Sequence, residues 1–400
     1  MQIKSITVEN FKALRSPGTV RLKPLSVIIG NNGSGKSSLL EAVETYRRIL
    51  FEGVDAAMEH WQGFEQIRHK AALSRLTTAA RLDPSRQQGA MSFKFKLAMP
   101  GGPVELALKA NLREAGNRLY IQDERFRVGK DAEIVRHTVG AGQTAGEGKS
   151  VIFGLAALDS AVAHLRNMLF LRLNPDAIGS LQSVKRTGGR MWLSGDGANV
   201  AEYLIDLRER SPSAFEQVTQ ALHYVLPYAS DVEPKLLDAG VLRRSYVQLL
   251  EARYEIPGWL MSSGSLRVLP LIATLFDPDP PPVVFIEELE NGLDPRTLGL
   301  VVDLMRMATK SGRMQVIATT HSPYLLDMLD LDDVLLCERG EAGPEFSWPG
   351  SRAEMQTWRD NFMPGRLYTM NALQRTSSSA TDTVAPQVGE APEGGWGEDA

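Results

Sequence analysis

Residues 25–50, "LSVIIGNNGSGKSSLLEAVETYRRIL", constrain the fold more than any other stretch. A mostly apolar run ends at Gly30, two further glycines follow at Gly33 and Gly35, and then Leu39, Leu40, Val43, Tyr46 and Leu50 recur at helical spacing. That order predicts a buried strand, a glycine loop and an amphipathic helix. Within it "GNNGSGKS", Gly30 to Ser37, matches G-x-x-x-x-G-K-[ST] in the setting the pattern requires. Glycines let the backbone curl so that successive N–H groups converge on phosphate oxygens, and the helix start adds positive partial charge. Asn31, Asn32, Gly33, Ser34, Gly35, Lys36, Ser37 and Ser38 would line that cradle. Lys36 would reach the β- and γ-phosphates of ATP, and the Ser37 hydroxyl would ligate Mg²⁺. The alternative is a glycine-rich turn that fits the pattern by coincidence.

A second stretch, "VVFIEELENGLDP" (283–295), runs four apolar residues into two adjacent acids. At the carboxyl end of a parallel strand beside a phosphate loop, Glu287 would hold Mg²⁺ through water and Glu288 would polarise the attacking water. Two carboxylates side by side repel each other without a cation, so the pairing itself points to a metal. The competing reading is an exposed strand end that opens an acidic turn.

Elsewhere the pattern changes twice. From about Met91 to Val128, short alternating runs separated by "PGGP" and "EAGN" predict an antiparallel meander. "VGAGQTAGEGKS" (139–150) reads as a flexible linker, and helical patterns follow at about 155–167, in "NVAEYLIDLRER" and in "SAFEQVTQALHYVL". From Ser265 onward helices are expected at 266–276, 296–309 and 323–330, and strands at 283–287, 314–319 and 333–337. Such alternation implies parallel strands covered by helices on both faces. The expected fold class is therefore α/β, a P-loop NTPase whose first and last parts share one sheet, with an antiparallel meander and an inserted helical subdomain. The expected divisions are 1–150 and 259–345 for the two parts of the head, 151–258 for the insert, 346–375 for an extension, and 376–400 for a disordered tail.

The tail carries five acidic residues and no Lys or Arg, which leaves the rest of the chain near neutral and its partner undetermined by charge. Cys337 is the only cysteine, excluding an internal disulfide or a multi-cysteine zinc site. With no secretory pattern at "MQIKSITVENFKALRS" and no long apolar run, a cytoplasmic location is expected.

In order along the chain, "GNNGSGKSSLLEAV", "MSSGSLR", "IEELENGLDP" and "ATTHSP" resemble the Walker A, signature, Walker B with D-loop, and switch histidine of ABC-type ATPases. More narrowly, with "ITVENFKAL" at the start, the chain resembles the SMC, RecF and OLD-like branch, and in it stand-alone AAA-family ATPases whose Walker B reads E-E. The resemblance implies that Ser262 and Gly264 cap the γ-phosphate of an opposite subunit, and that Asp294 reaches across a dimer interface. It also implies that His321 contacts the γ-phosphate. Met261 and Ser263 depart from the signature pattern, and Ser262 and Asp294 are also ordinary helix starts. The loop "LRLNPDAIG" stands where a Q-loop glutamine is expected and has none. Lys12 is a candidate for phosphate or ribose contact, or a solvated lysine. There is no heptad pattern for a coiled coil, and too little chain after His321 for a TOPRIM nuclease domain.

The expectation is thus an ATP-gated homodimer that hydrolyses ATP with Mg²⁺, with Glu288, His321 and Lys36 as catalytic groups. One partner reading is DNA, in repair or anti-phage defence, through "IRHK" (67–70), "KFK" (94–96), "KRTGGR" (185–190) or "RR" (243–244). The other is a sensing scaffold that docks a separate effector or nuclease subunit.

Overall fold

The computed structural model describes residues 1–70, 89–113, 118–129, 133–137, 148–184, 189–239, 242–341, 343–359 and 361–374. The acidic tail and most of the glycine-rich stretch 139–150 lie outside the described residues, as does most of "KRTGGR".

Six strands make the sheet on which the site is built. In spatial order they are Gly343–Ser347, Val334–Gly340, Leu25–Ile29, Gln315–Thr320, Val283–Ile286 and Leu169–Leu171. All neighbours are parallel except the outermost pair, Gly343–Ser347 with Val334–Gly340. Successive side chains of a strand face opposite sides, and both sides are covered. Val27, Ile29, Val284, Ile286, Val316, Ala318 and Leu336 pack toward helices Val200–Arg210, Pro212–Val225, Ser263–Phe276 and Pro295–Lys310. Ile28, Phe285, Ile317, Leu335 and Cys337 face the other way, toward helix Lys36–Glu52 and a second sheet. Burial on both faces is what turned these strands into nearly continuous apolar runs. Phe170 and Phe285, on adjacent strands, stack with centroids 4.5 Å apart.

The second sheet is antiparallel, in the order Thr19–Arg21, Gln2–Glu9, Met91–Met99, Gly102–Arg113, Arg118–Val128 and Glu133–His137. The meander is therefore present, but the opening strand joins it rather than the parallel sheet. Only Leu25–Ile29 carries the N-terminal segment into the sheet of the C-terminal part. Gln315 ties the two sheets together: its amide accepts from Ile3 N at 2.7 Å and donates to the Ile3 and Lys23 carbonyls at 3.0 and 2.9 Å. Such a buried amide is tolerated because its polar atoms are satisfied. Between the sheets Tyr46 of the phosphate-loop helix packs on Phe95, 4.4 Å between centroids.

The inserted segment contains the helices Asp159–Arg166, Val200–Arg210 and Pro212–Val225. It also contains a small antiparallel sheet that the helical expectation did not include. Asp231–Ala239, Leu242–Glu251 and Tyr254–Pro257 pair in order, with Gln182–Ser183 added beside Leu242–Glu251. The extension after Ser347 forms helices Ala353–Arg359 and Pro364–Thr369. The latter packs on Pro323–Asp327, and Asp327 accepts from Gly365 N at 2.7 Å. No helix of the described residues is long and apolar enough to cross a membrane.

Candidate nucleotide site

Strand Leu25–Ile29 ends at Gly30, and helix Lys36–Glu52 begins six residues later, so the glycine loop lies over the carboxyl end of the parallel sheet. Gly33 and Gly35 have φ of 74° and 117°, in the left-handed region that favours glycine. At Gly30 the limit is space, because a Cβ there would come within 2.0 Å of the Cys337 carbonyl oxygen. The helix starts without any side chain capping it and without an acid in its first turn. Its first N–H groups are therefore left to an anion or to water.

Lys36, only 5 % exposed, turns its ammonium back into the loop. It donates to the Gly30 and Asn31 carbonyls at 2.7 and 3.1 Å and lies 3.5 Å from His321 Nδ1. Burial lowers its pKa, partly offset by Cys337, Glu288 and Glu290. Asn31 and Asn32 are exposed, and Tyr368 of the extension donates to Asn31 Oδ1 at 3.1 Å. Ser37 is exposed and Ser38 half-buried on the first turn. A cavity of about 260 Å³ flanks the loop, lined by Asn31, Asn32, Ser34, Arg339 and Tyr368 among others.

The paired acids stand where strand Val283–Ile286 leaves the sheet, one strand beyond the histidine strand Gln315–Thr320. Glu287 is tied to the neighbouring strand by its N–H, which donates to Leu171 O at 3.0 Å. Glu288 sits at φ 48°, an uncommon value for a side-chain-bearing residue. Two contacts hold it there: its N–H donates to Thr319 Oγ1 at 3.0 Å, and Asn291 Nδ2 donates to its carboxylate. Burial pushes the Glu287 carboxyl up; Arg172 opposes that shift, while Glu41 and Glu44 add to it.

His321 ends its strand beside the loop, and its backbone N–H donates to Glu290 Oε1 at 2.6 Å. Lys36, His321 and the acid-bearing loop 287–290 thus meet in one place, although they are far apart in sequence. Lys12 lies elsewhere in its contacts, paired with Glu41 at 2.9 Å and 3.8 Å from the centroid of Trp61.

The two remaining motifs adjoin this loop. Ser262 caps helix Ser263–Phe276, accepting from Ser265 N at 3.1 Å, and its hydroxyl lies 2.8 Å from that of Ser265. A Cβ on Gly264 would come 2.4 Å from the Gly292 carbonyl oxygen, so only glycine lets the start of helix Ser263–Phe276 approach the loop that follows the acids. Asp294 caps helix Pro295–Lys310, accepting from Arg296 N, Thr297 N and Thr297 Oγ1 at 3.0, 3.1 and 2.5 Å. Burial would raise its pKa, but these hydrogen bonds outweigh burial and lower it.

Sequence reasoning did not single out Arg172, Glu290 or Thr319. Arg172 pairs with Glu287 at 3.1 Å and with Glu44 at 2.6 Å. Its partners lie in other motifs, so nothing local marked it. Glu290 and Thr319 lie inside the quoted stretches "IEELENGLDP" and "ATTHSP", and that position was the available signal.

The residues fit a metal-bound triphosphate. Ser34 Oγ and Glu287 Oε1 are buried without a hydrogen-bond partner, an expensive condition for polar atoms. Among the described residues no three His, Cys, Asp or Glu side chains form a cage for a metal ion. A protein that relies on phosphate oxygens and water for most of the coordination of Mg²⁺ needs none.

Two family models match the chain. The AAA ATPase domain model covers residues 1–52, and the AAA domain model whose description names an AbiEii toxin of Type IV TA systems covers 202–327. No curated protein matches. Among solved structures, an Smc head bound to the C-winged helix domain of ScpA aligns at TM-score 0.50 and 11 % identity, covering 87 % of this chain and 97 % of that one. The Pyrococcus furiosus Smc head with an extended coiled coil, bound to the C-terminal domain of ScpA, aligns at TM-score 0.51 and 11 % identity. That alignment covers 90 % of this chain and 98 % of that one. At such identity the likeness is one of fold. The chain thus carries AAA-domain sequence in two separate stretches, 1–52 and 202–327, and has the fold of an Smc head.

Proposed function

We propose that the chain hydrolyses Mg²⁺–ATP at a site completed by a second copy of itself. The observation that carries this reading is the convergence of Lys36, His321 and the loop bearing Glu287 and Glu288 on the open start of helix Lys36–Glu52. The loop N–H groups and Lys36 bind the β- and γ-phosphates. Ser37 and Glu287 hold Mg²⁺, which supplies charge neutralisation for the phosphates. Glu288 takes a proton from water as the water oxygen attacks the γ-phosphorus and the bond to the β–γ bridging oxygen breaks. His321 stabilises charge on the transferring group. Ser262, Gly264 and Asp294 serve the nucleotide of the partner copy, so ATP joins two heads and hydrolysis releases them.

Turnover and oligomeric state of the wild type and Glu288→Gln test this directly. Glu288→Gln is expected to bind ATP, lose turnover and accumulate as a dimer. Normal turnover in that variant would remove Glu288 from the role of base.

For the partner, DNA in repair or anti-phage defence is one reading. Among the described residues, though, the basic stretches carry acidic neighbours: Arg68 with Glu65, Lys96 with Glu105, Arg243 with Asp238. The second reading, a scaffold that docks an effector protein, draws on exposed apolar side chains of the small sheet and the turn after it. Leu236, Leu237, Tyr254, Trp259 and Leu260 are all well exposed there. Stimulation of turnover by duplex DNA, weakening with salt, supports the first. A copurifying protein with no DNA effect supports the second.

A further inference from the structure

Glu287 is held by a cation that belongs to neither the phosphate loop nor the acidic motif. Strand Leu169–Leu171 runs parallel to Val283–Ile286 with Leu171 in register with Ile286, which sets the next residues, Arg172 and Glu287, side by side. The exit of Arg172 is fixed by its N–H, which donates to Gly195 O at 2.8 Å. From there the guanidinium spans two acids. Nε donates to Glu287 Oε2 at 3.1 Å, and Nη1 donates to Glu44 Oε2 at 2.6 Å. Glu44 sits on the phosphate-loop helix, so the bridge links that helix to the strand that ends in the acids. The other Glu287 oxygen, Oε1, is buried with no donor.

From this geometry we infer that Arg172 is a positioning residue: it occupies Glu287 Oε2 and leaves Oε1 as the single oxygen offered to the metal. The inference rests on the Mg²⁺–ATP reading above. A carboxylate free at both oxygens can rotate or bind a cation through either one, whereas a planar guanidinium fixed at two points removes that freedom. Glu44 has a second effect. It balances the charge of Arg172, so the guanidinium can stay next to a metal carboxylate without adding a net positive charge there. In this chain the loop after the strand carries no glutamine. An arginine stands first in it, acting on the metal through Glu287 rather than by ligation.

Mn²⁺ with ADP is the probe, with free Mn²⁺ read by electron paramagnetic resonance on the full-length protein. Affinity of the protein–ADP complex for Mn²⁺ is expected to fall about 10- to 100-fold in Arg172→Ala, the usual effect of removing a group that orients a metal carboxylate. ADP binding in EDTA is expected to stay at the wild-type level. Arg172→Lys should recover part of the loss, Glu44→Gln should show a smaller one, and the double variant should be no worse than Arg172→Ala. Wild-type or tighter Mn²⁺ affinity in Arg172→Ala overturns the inference. Should Arg172→Ala fail to fold, Arg172→Lys and Glu44→Gln carry the same test, and unchanged Mn²⁺ affinity in both overturns it. A wild type that binds no Mn²⁺–ADP at all sinks the Mg²⁺–ATP reading instead, which is a different result.

Discussion

Two helices begin at the same edge of the parallel sheet, and they are finished differently. Helix Lys36–Glu52 starts at Gly35 with no side chain on its free N–H groups. Helix Ser263–Phe276 starts at Ser262, whose hydroxyl is already engaged with Ser265. The first is an anion seat ready for use. The second has its own cap in place, so in the proposed cycle Ser262 would exchange Ser265 for phosphate before serving a partner's nucleotide. Capping contributes on the order of 1 kcal/mol, little enough for a charged ligand to displace. The difference suggests an order of events in the proposed cycle: nucleotide settles on the loop of one copy first, and the signature helix of the other closes on it second.

The largest effect that would break this comparison is at Lys36. Its ammonium donates to two loop carbonyls, whereas Arg339 reaches only the Gly33 carbonyl, at 3.2 Å, and hydrogen bonds to charged groups are worth roughly 1.5–3 kcal/mol each. Lys36→Ala is therefore expected to weaken ATP binding by about 100-fold, read by calorimetry with Mg²⁺. Wild-type affinity in that variant would mean that the open helix start is not the phosphate seat.

A smaller effect sharpens the other half. Ser262→Ala removes the cap and should lower unfolding stability by about 1 kcal/mol in urea titration. Affinity of a single copy for ATP is expected to stay as it is, because Ser262 does not line its own loop. Turnover and ATP-dependent dimer formation should fall together. If stability drops while turnover is kept, Ser262 is a cap and nothing more.

How far each region could be read from sequence follows the same division. The strands that carry the phosphate loop and the acids were legible because burial on both faces leaves nearly continuous apolar runs, as in Val283–Ile286 and, but for Ser26, Leu25–Ile29. The small sheet 231–257 was not, because it is half solvated: Leu236 and Leu237 are exposed neighbours and Pro234 interrupts the run. The alternation that marks a one-sided strand is blurred there. The opening strand was legible as a strand but not as a member of the antiparallel sheet, since pairing partners are a tertiary fact. Arg172 was hidden for a related reason. Its two acids are distant in sequence: the register of the parallel strands sets Glu287 beside it, and Glu44 reaches it from helix Lys36–Glu52.

The smallest effect concerns the wall behind the open loop. Cys337 is 1 % exposed, and its Sγ lies 3.5 Å from the Ser34 carbonyl. Burial pushes its thiol from 9.0 to about 11, against smaller opposing effects of Ser34 and Lys36. The sign of the stability effect follows. Below pH 9 the thiol keeps its proton in both the folded and the unfolded chain, so it contributes no pH dependence. Between 9 and about 11 only the unfolded chain ionises it, so stability falls as pH rises through that window. Cys337→Ala is expected to have a shallower loss of stability between those two values than the wild type, measured by urea midpoints at each pH. The same burial predicts that iodoacetamide labels the wild type only at the rate of unfolding. Ready labelling of the native chain at neutral pH would show the wall of the loop to be open to solvent, and the loop itself less rigid than its glycine geometry implies.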